Sequence, residues 1–171
     1  MPEMPEKKLT VSASPHVRSA QTVSGIMLNV IIALIPALAA SVWLFGPRVL
    51  LICLVTIGTC MLSEYLSRKI MKRSNTLGDL SAVVTGLLLA FNLPVSIPLW
   101  QAAIGSVIAI VVVKQLFGGI GQNFMNPALG ARCFLMLSFS SAMTNSFAIP
   151  KGNKIWGGYQ ATLDAVSSAT P

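Results

Sequence analysis

Few side chains in this sequence can do chemistry, and most of those that can sit beside long apolar runs. Among 171 residues there are five acidic groups, twelve basic ones and a single histidine. Glu64 stands four residues before Arg68, the helical spacing of an ion pair. Asp79 reads either as a cation ligand or as a helix cap; Thr76-x-x-Asp79 fits the capping-box pattern. Arg132 could steady an anionic group, or simply extend to the inner membrane surface. His16 reads as a surface residue. Cys53, Cys60 and Cys133 lie in apolar runs without a C-x-x-C pair or an even set, so they read as small apolar packers, with no disulfide framework and no metal site. Gly118-Gly119-Ile120-Gly121 leads into Asn126-Pro127. A glycine-rich loop before a helix start can offer free N–H groups to an anion; the simpler reading is a tight turn between closely packed helices. It lacks the third glycine, the preceding strand and the following acid of a dinucleotide fingerprint. Finally, Asp164-Ala165-Val166-Ser167-Ser168-Ala169-Thr170-Pro171 strings hydroxyls between small residues.

The composition decides where these groups must work. The chain is 54% hydrophobic and only 10% charged, with a mean hydropathy of +0.73. Soluble domains carry about 25% charged residues, which excludes an ordinary water-soluble enzyme. Disorder is excluded by the apolar content. The length admits roughly five membrane spans at about 20 residues each. The net charge of +7 does not point to nucleic acid, because the charges punctuate the apolar runs instead of forming a stripe, as in loops between spans.

Three regions follow: a polar basic arm over residues 1–18, a transmembrane helical domain over 19–147, and a polar tail over 148–171. The arm is a poor signal peptide, since the apolar run after it is too long. The first span covers 26–45, with Pro36 predicting a kink, and Gly46-Pro47 marks a turn. The second covers 49–66 and ends in Arg68, Lys69, Lys72 and Arg73, cations suited to a helix C-terminus. The next helix, 80–91, is about 18 Å long, short of the roughly 30 Å hydrocarbon core. Asn92-Leu93-Pro94 and Pro98 break it, so it is a half-helix or completes its crossing through irregular backbone. Such backbone survives only when protein shields it or it lines a cavity, so this region should face a site, with Thr85 and Asn92 lining a cavity or packing helices. A helix over 99–116 carries Lys114 near its end. Asn126 as N-cap and Pro127 at N1 start the last one, which runs to 140 or 146 and carries Arg132. With the N-terminus inside, Lys7, Lys8, Arg18, Arg68, Lys69, Lys72, Arg73, Lys114 and Arg132 are cytoplasmic. Arg48, Lys151 and Lys154 are outside, in accord with the positive-inside rule. The expected fold is an all-α polytopic membrane protein with about five transmembrane segments, at least one short or broken.

The pattern Asp164-x-x-Ser167-x-Ala169-Thr170 resembles the flavin-attachment motif of the RnfD/NqrB family, membrane subunits of ion-translocating electron-transport complexes. Other stretches carry the same resemblance. They are Ser14-Pro15-His16 with Ile26-Met27, Asp79-x-Ser81-Ala82-x-x-Thr85-Gly86-Leu87-Leu88-Leu89-Ala90, and, most specifically, Lys114-Gln115-x-x-Gly118-Gly119-x-Gly121-Gln122-Asn123-x-x-Asn126-Pro127-Ala128. The short arm resembles the RnfD branch more than the NqrB branch. The resemblance implies FMN joined through its phosphate to the Thr170 hydroxyl by a flavin transferase, with Asp164, Ser167 and Ala169 as recognition positions. An accessible hydroxyl among small neighbours suits that reaction. It further implies a non-covalent riboflavin, and a place among the membrane and peripheral subunits of an Rnf-type complex in the bacterial cytoplasmic membrane. There the protein would couple ferredoxin:NAD electron transfer to Na or H translocation, with no turnover alone. The family continues past this threonine with a second set of helices, so the chain resembles an N-terminal half. Read from the residues alone, a solute channel or transporter with broken helices, or a scaffolding subunit, fits as well.

Overall fold

The computed structural model describes residues 21–73 and 76–144. These form α1 (Val23–Phe45), α2 (Arg48–Ile70), a 3-10 turn (Leu77–Asp79), α3 (Ser81–Phe91), α4 (Leu99–Ile108) running on into a π-helical segment (Ala109–Gln115), α5 (Pro127–Ser138) and α6 (Ser140–Thr144). No strand occurs among the described residues. The fold is that of an all-α polytopic membrane protein.

α1 and α2 have 23 residues each, about 34 Å at the standard rise, enough to cross a bilayer with some tilt. Gly46 turns the chain between them at φ 88°, a conformation glycine adopts without cost. α1 keeps Pro36 and has no buried residue. It touches the bundle along Leu34, Leu38, Val42 and Phe45, one stripe at helical spacing.

α2 is the central helix, and α3 packs antiparallel along it. Gly86 makes this possible: a Cβ there would fall 2.7 Å from the Ile57 Cα. Gly86→Ala is therefore expected to force α2 and α3 apart, costing about 1–3 kcal/mol; thermal unfolding in detergent measures it.

α3 is as short as its sequence suggests, and irregular backbone follows it. Eight of its eleven residues are buried, and so are Leu93, Pro94 and Ile97 beyond it. Arg48, at the start of α2, secures that backbone: its Nε donates to the Val95 carbonyl (2.9 Å) and an Nη to that of Ile97 (3.4 Å). Here protein shields the exposed carbonyls that lipid could not satisfy. Trp43 and Trp100, both exposed, lie at this same end of the bundle, as interfacial tryptophans do.

α4 runs back parallel to α2. Its continuation widens into a π-helix, with the Leu116 N–H bonded to the Val111 carbonyl and the Gly119 N–H to that of Lys114. α5 returns antiparallel. Asn126 caps it, accepting from the Ala128 N–H at 3.0 Å with Pro127 in the first turn, as expected. Gly105 lets it approach: a Cβ there would lie 2.6 Å from the Leu135 Cδ1. The helix bends at Phe139, whose ring meets Trp100 edge-on at 5.3 Å. α6 then buries Met143 in the core.

A candidate site at a buried charge cluster

The opposite end of the bundle holds a buried ion pair. Lys114 Nζ lies 2.9 Å from both Oε1 and Oε2 of Glu64 and donates a third bond to Ser81 Oγ at 2.6 Å. Thr76 Oγ1 donates to Glu64 Oε1 at 2.8 Å, and Gln115 Nε2 to the same oxygen at 3.2 Å. Glu64 is 0% exposed and Lys114 2%. All three ammonium protons thus have acceptors. Desolvating two charges costs several kcal/mol per ion, which their attraction offsets only with this quality of hydrogen bonding. Charged groups at membrane depth are rare and face the bundle interior.

Local spacing in the sequence gives each of these groups a near neighbour; the structure joins them across the fold. The helical spacing pairs Glu64 with Arg68, whereas the carboxylate is turned to Lys114, fifty residues away. The sequence places Lys114 near the end of its helix, and there its side chain is buried among the helices. Thr76 gives its hydroxyl to Glu64 rather than capping the next helix, so the expected capping box does not form. α3 is preceded by Leu80, with φ 57° and no side-chain cap. That left-handed residue after the 3-10 turn aims Ser81 at the lysine. The π-helix matters here too: its wider turn lets the consecutive residues Lys114 and Gln115 both reach one carboxylate, and such turns often accompany functional positions.

The glycine-rich stretch is a tight turn that closes this segment. Gly118, Gly119 and Gly121 have φ values of 110°, 106° and 84°. A Cβ on Gly119 would press on the guanidinium of Arg68, which is buried beneath it. The Asn123 side-chain amide, turned so that its nitrogen faces the surrounding acceptors, donates to the carbonyls of Gly119, Lys114 and Val113 at 3.0, 3.2 and 3.3 Å. So the motif from Lys114 to Asn126 supplies in turn the cation, an amide donor, the turn, the closing amide and the next helix cap.

A second polar contact links the break after α3 to α5. Arg132 Nη1 donates to Asn92 Oδ1 at 2.9 Å, while Asn92 Nδ2 donates to the Leu88 carbonyl at 2.7 Å. The sequence reading extends Arg132 to the inner surface; half-buried, it reaches the broken segment instead. Arg132→Leu is expected to cost about 1.5–3 kcal/mol, the range for a hydrogen bond to a charged group. Arg132→Lys should restore little of it, lacking the planar fork; both are read by thermal unfolding.

The remaining candidates have ordinary roles. Thr85 Oγ1 bonds back to the Ser81 carbonyl. Cys53 and Cys60 are buried packers and Cys133 is exposed. Asp79 ends the 3-10 turn, and no group of three His, Cys, Asp or Glu residues able to hold a metal occurs among the described residues. Asp164, Ser167, Ala169, Thr170 and His16 lie outside the described residues.

A cleft of about 550 Å³ opens at the Arg48 end, lined by Ser96, Gln101, Ser138, Ser140 and Ser141 among others. Gln101 is 7% exposed, and its Oε1 is buried without a hydrogen-bond partner. The sequence carries no sign of this acceptor.

An all-α membrane bundle, with two long apolar helices, a short one followed by buried irregular backbone and a charge pair locked among them, is the class that the described residues define. A profile of the NQR2, RnfD, RnfE family matches residues 10–171, and the chain belongs to that family. It is 46% identical over 168 residues to the D subunit of the Na(+)-translocating ferredoxin:NAD(+) oxidoreductase complex of Acetobacterium woodii, covering 98% of this chain and 49% of the relative. Against the D subunit of the proton-translocating ferredoxin:NAD(+) oxidoreductase complex of Clostridium ljungdahlii the identity is 42%, covering 95% and 46%. Against the D subunit of the ion-translocating oxidoreductase complex of Escherichia coli (strain K12 / DH10B) it is 36%, covering 94% and 52%. The chain spans about half the length of these curated relatives.

Proposed function

We propose that the chain is the flavin-carrying part of the D subunit of an Rnf-type complex, an electron carrier that turns over nothing alone. FMN is joined by a phosphoester to the Thr170 hydroxyl, with Asp164, Ser167 and Ala169 forming the motif a flavin transferase recognises. The observation that carries this reading is that motif, lying within the residues that match the family. In this reading electrons moving between ferredoxin and NAD pass through the chain and drive ion export from a bacterial cell. The relatives' names divide between Na(+) and the proton. The N-terminal arm, residues 1–18, is cytoplasmic, 19–147 cross the cytoplasmic membrane, and 148–171 lie outside. A non-covalent riboflavin in the membrane part and contacts with neighbouring subunits belong to the same proposal.

The described residues suit such a cofactor. Ser140, Ser141 and Ala142 of α6, which ends at Thr144, line the serine-rich cleft. The Gln101 side-chain carbonyl there lacks a donor, and the serine hydroxyls can donate or accept. Gln101, Ser138, Ser140 and Ser141 would hold the polar edge of the ring. When bound, the flavin supplies the redox chemistry, while the protein fixes its position and electrostatics. Far from the cleft, the Glu64–Lys114 pair fixes α2, α3 and the end of α4 relative to one another. It is neutral in sum, so it adds little net charge to the field around a moving ion.

Co-expression with a flavin transferase tests the reading. A fluorescent band at this chain on a denaturing gel is expected; an intact chain without fluorescence would contradict it.

A further inference from the structure

The serine-lined cleft has two walls. Ser138, Phe139, Ser140 and Ser141, at the bend from α5 into α6, form one. Ser96 and Pro98, in the irregular backbone after α3, belong to the other. The second wall has little of its own to hold its shape. Pro94 and Pro98 lie in it, and proline offers no backbone donor. The carbonyls on either side of Ser96 turn instead to one side chain. Arg48 Nε donates to Val95 at 2.9 Å and Nη2 to Ile97 at 3.4 Å. The Ile97 side chain is 0% exposed, so the segment is pinned by its side chain in the core and by its backbone on the guanidinium. Arg48 thereby sets where Ser96 stands, although it does not itself line the cleft. The first wall is anchored separately, through the edge-on contact of Phe139 with Trp100.

We propose that Arg48 is a positioning residue of this cleft: its planar fork sets the Ser96 hydroxyl against the polar edge of a flavin bound there. The inference rests on the reading of the cleft as a flavin site. Two carbonyls that flank one residue need two donors held in a fixed relation. A guanidinium supplies them, whereas an ammonium presents its donors from a single atom and cannot span both. Where lipid replaces water, a carbonyl released by Arg48 must find another donor. The segment turns to reach one and carries Ser96 with it. A hydroxyl in place can donate to a ring carbonyl or nitrogen and accept from a ring N–H.

Riboflavin binding to the full chain in nanodiscs, followed by quenching of the riboflavin fluorescence and paired with thermal unfolding, tests it. Arg48→Lys is expected to weaken binding about tenfold, as for the loss of a hydrogen bond to a charged group. It should lower the unfolding temperature by only about 2–4 °C. Ser96→Ala leaves the clamp intact and should weaken binding by a similar factor. The double variant should bind no worse than either single one, because Arg48 acts through Ser96. Losses that multiply in the double variant would overturn the inference, as would binding unchanged in Arg48→Lys. A wild-type chain that binds no riboflavin would instead remove the flavin reading of the cleft, and the inference with it.

Discussion

Lys114→Met is expected to destabilise the folded chain by about 3–5 kcal/mol, the cost of leaving one partner of a buried pair uncompensated. The size follows from the surroundings. Glu64 is fully buried, and the lysine is the cation that balances it, held at 2.9 Å by both oxygens. Thr76 and Gln115 continue to donate to the carboxylate in the variant, but neutral donors cannot balance its charge. Ser81 loses its donor as well. The double variant Glu64→Gln/Lys114→Met removes both charges and is expected to recover most of the loss, since replacing a whole buried pair with neutral groups is often close to neutral. Unfolding in detergent for the wild type, both single variants and the double variant gives the coupling between the two sites. Single variants within about 1 kcal/mol of wild type, the range of an exposed pair, would contradict the buried lock described here.

Thr170→Ala is expected to remove all covalent flavin while leaving the bundle folded, because a phosphoester needs the hydroxyl and residue 170 is remote in sequence from the described helices. Thr170→Ser keeps a hydroxyl and should keep part of the label. Asp164→Ala keeps the acceptor but alters the recognition motif, so it should lower the yield without abolishing it. Flavin fluorescence on a denaturing gel ranks the four proteins. Covalent fluorescence persisting in Thr170→Ala would place the attachment elsewhere.

The helical layout was legible because lipid leaves the backbone few options. Uncharged runs, the Gly46-Pro47 turn, the Asn92–Pro98 break and the Asn126-Pro127 start all sit at observed helix boundaries. The short third segment was readable from length alone, and its buried irregular continuation follows from the need to satisfy carbonyls away from water. The charge cluster was not legible. Local rules pair residues three or four apart, while Glu64 meets a lysine fifty residues away and Arg132 an asparagine forty residues away. The capping-box pattern misled for the same reason: the Thr76 hydroxyl has a charged partner from another helix, and a charge-assisted bond is stronger than a neutral cap. A long uncharged run ending in a solitary lysine was the one available sign, since a cation beside so much apolar sequence needs a buried acid. The π-helix and the Gln101 acceptor have no sequence signature. The motif from Lys114 to Asn126 was recognisable as a resemblance, and the fold supplies its physical content: one residue for the ion pair, one for the carboxylate, glycines for the turn and asparagines for the two helix ends.

The most direct measurement of the central claim is intact-mass spectrometry of the full chain purified from its native membrane, followed by peptide mapping. The account predicts an added mass equal to FMN less one water, located on Thr170. A chain of unmodified mass, or FMN mapped to any other residue, would contradict it.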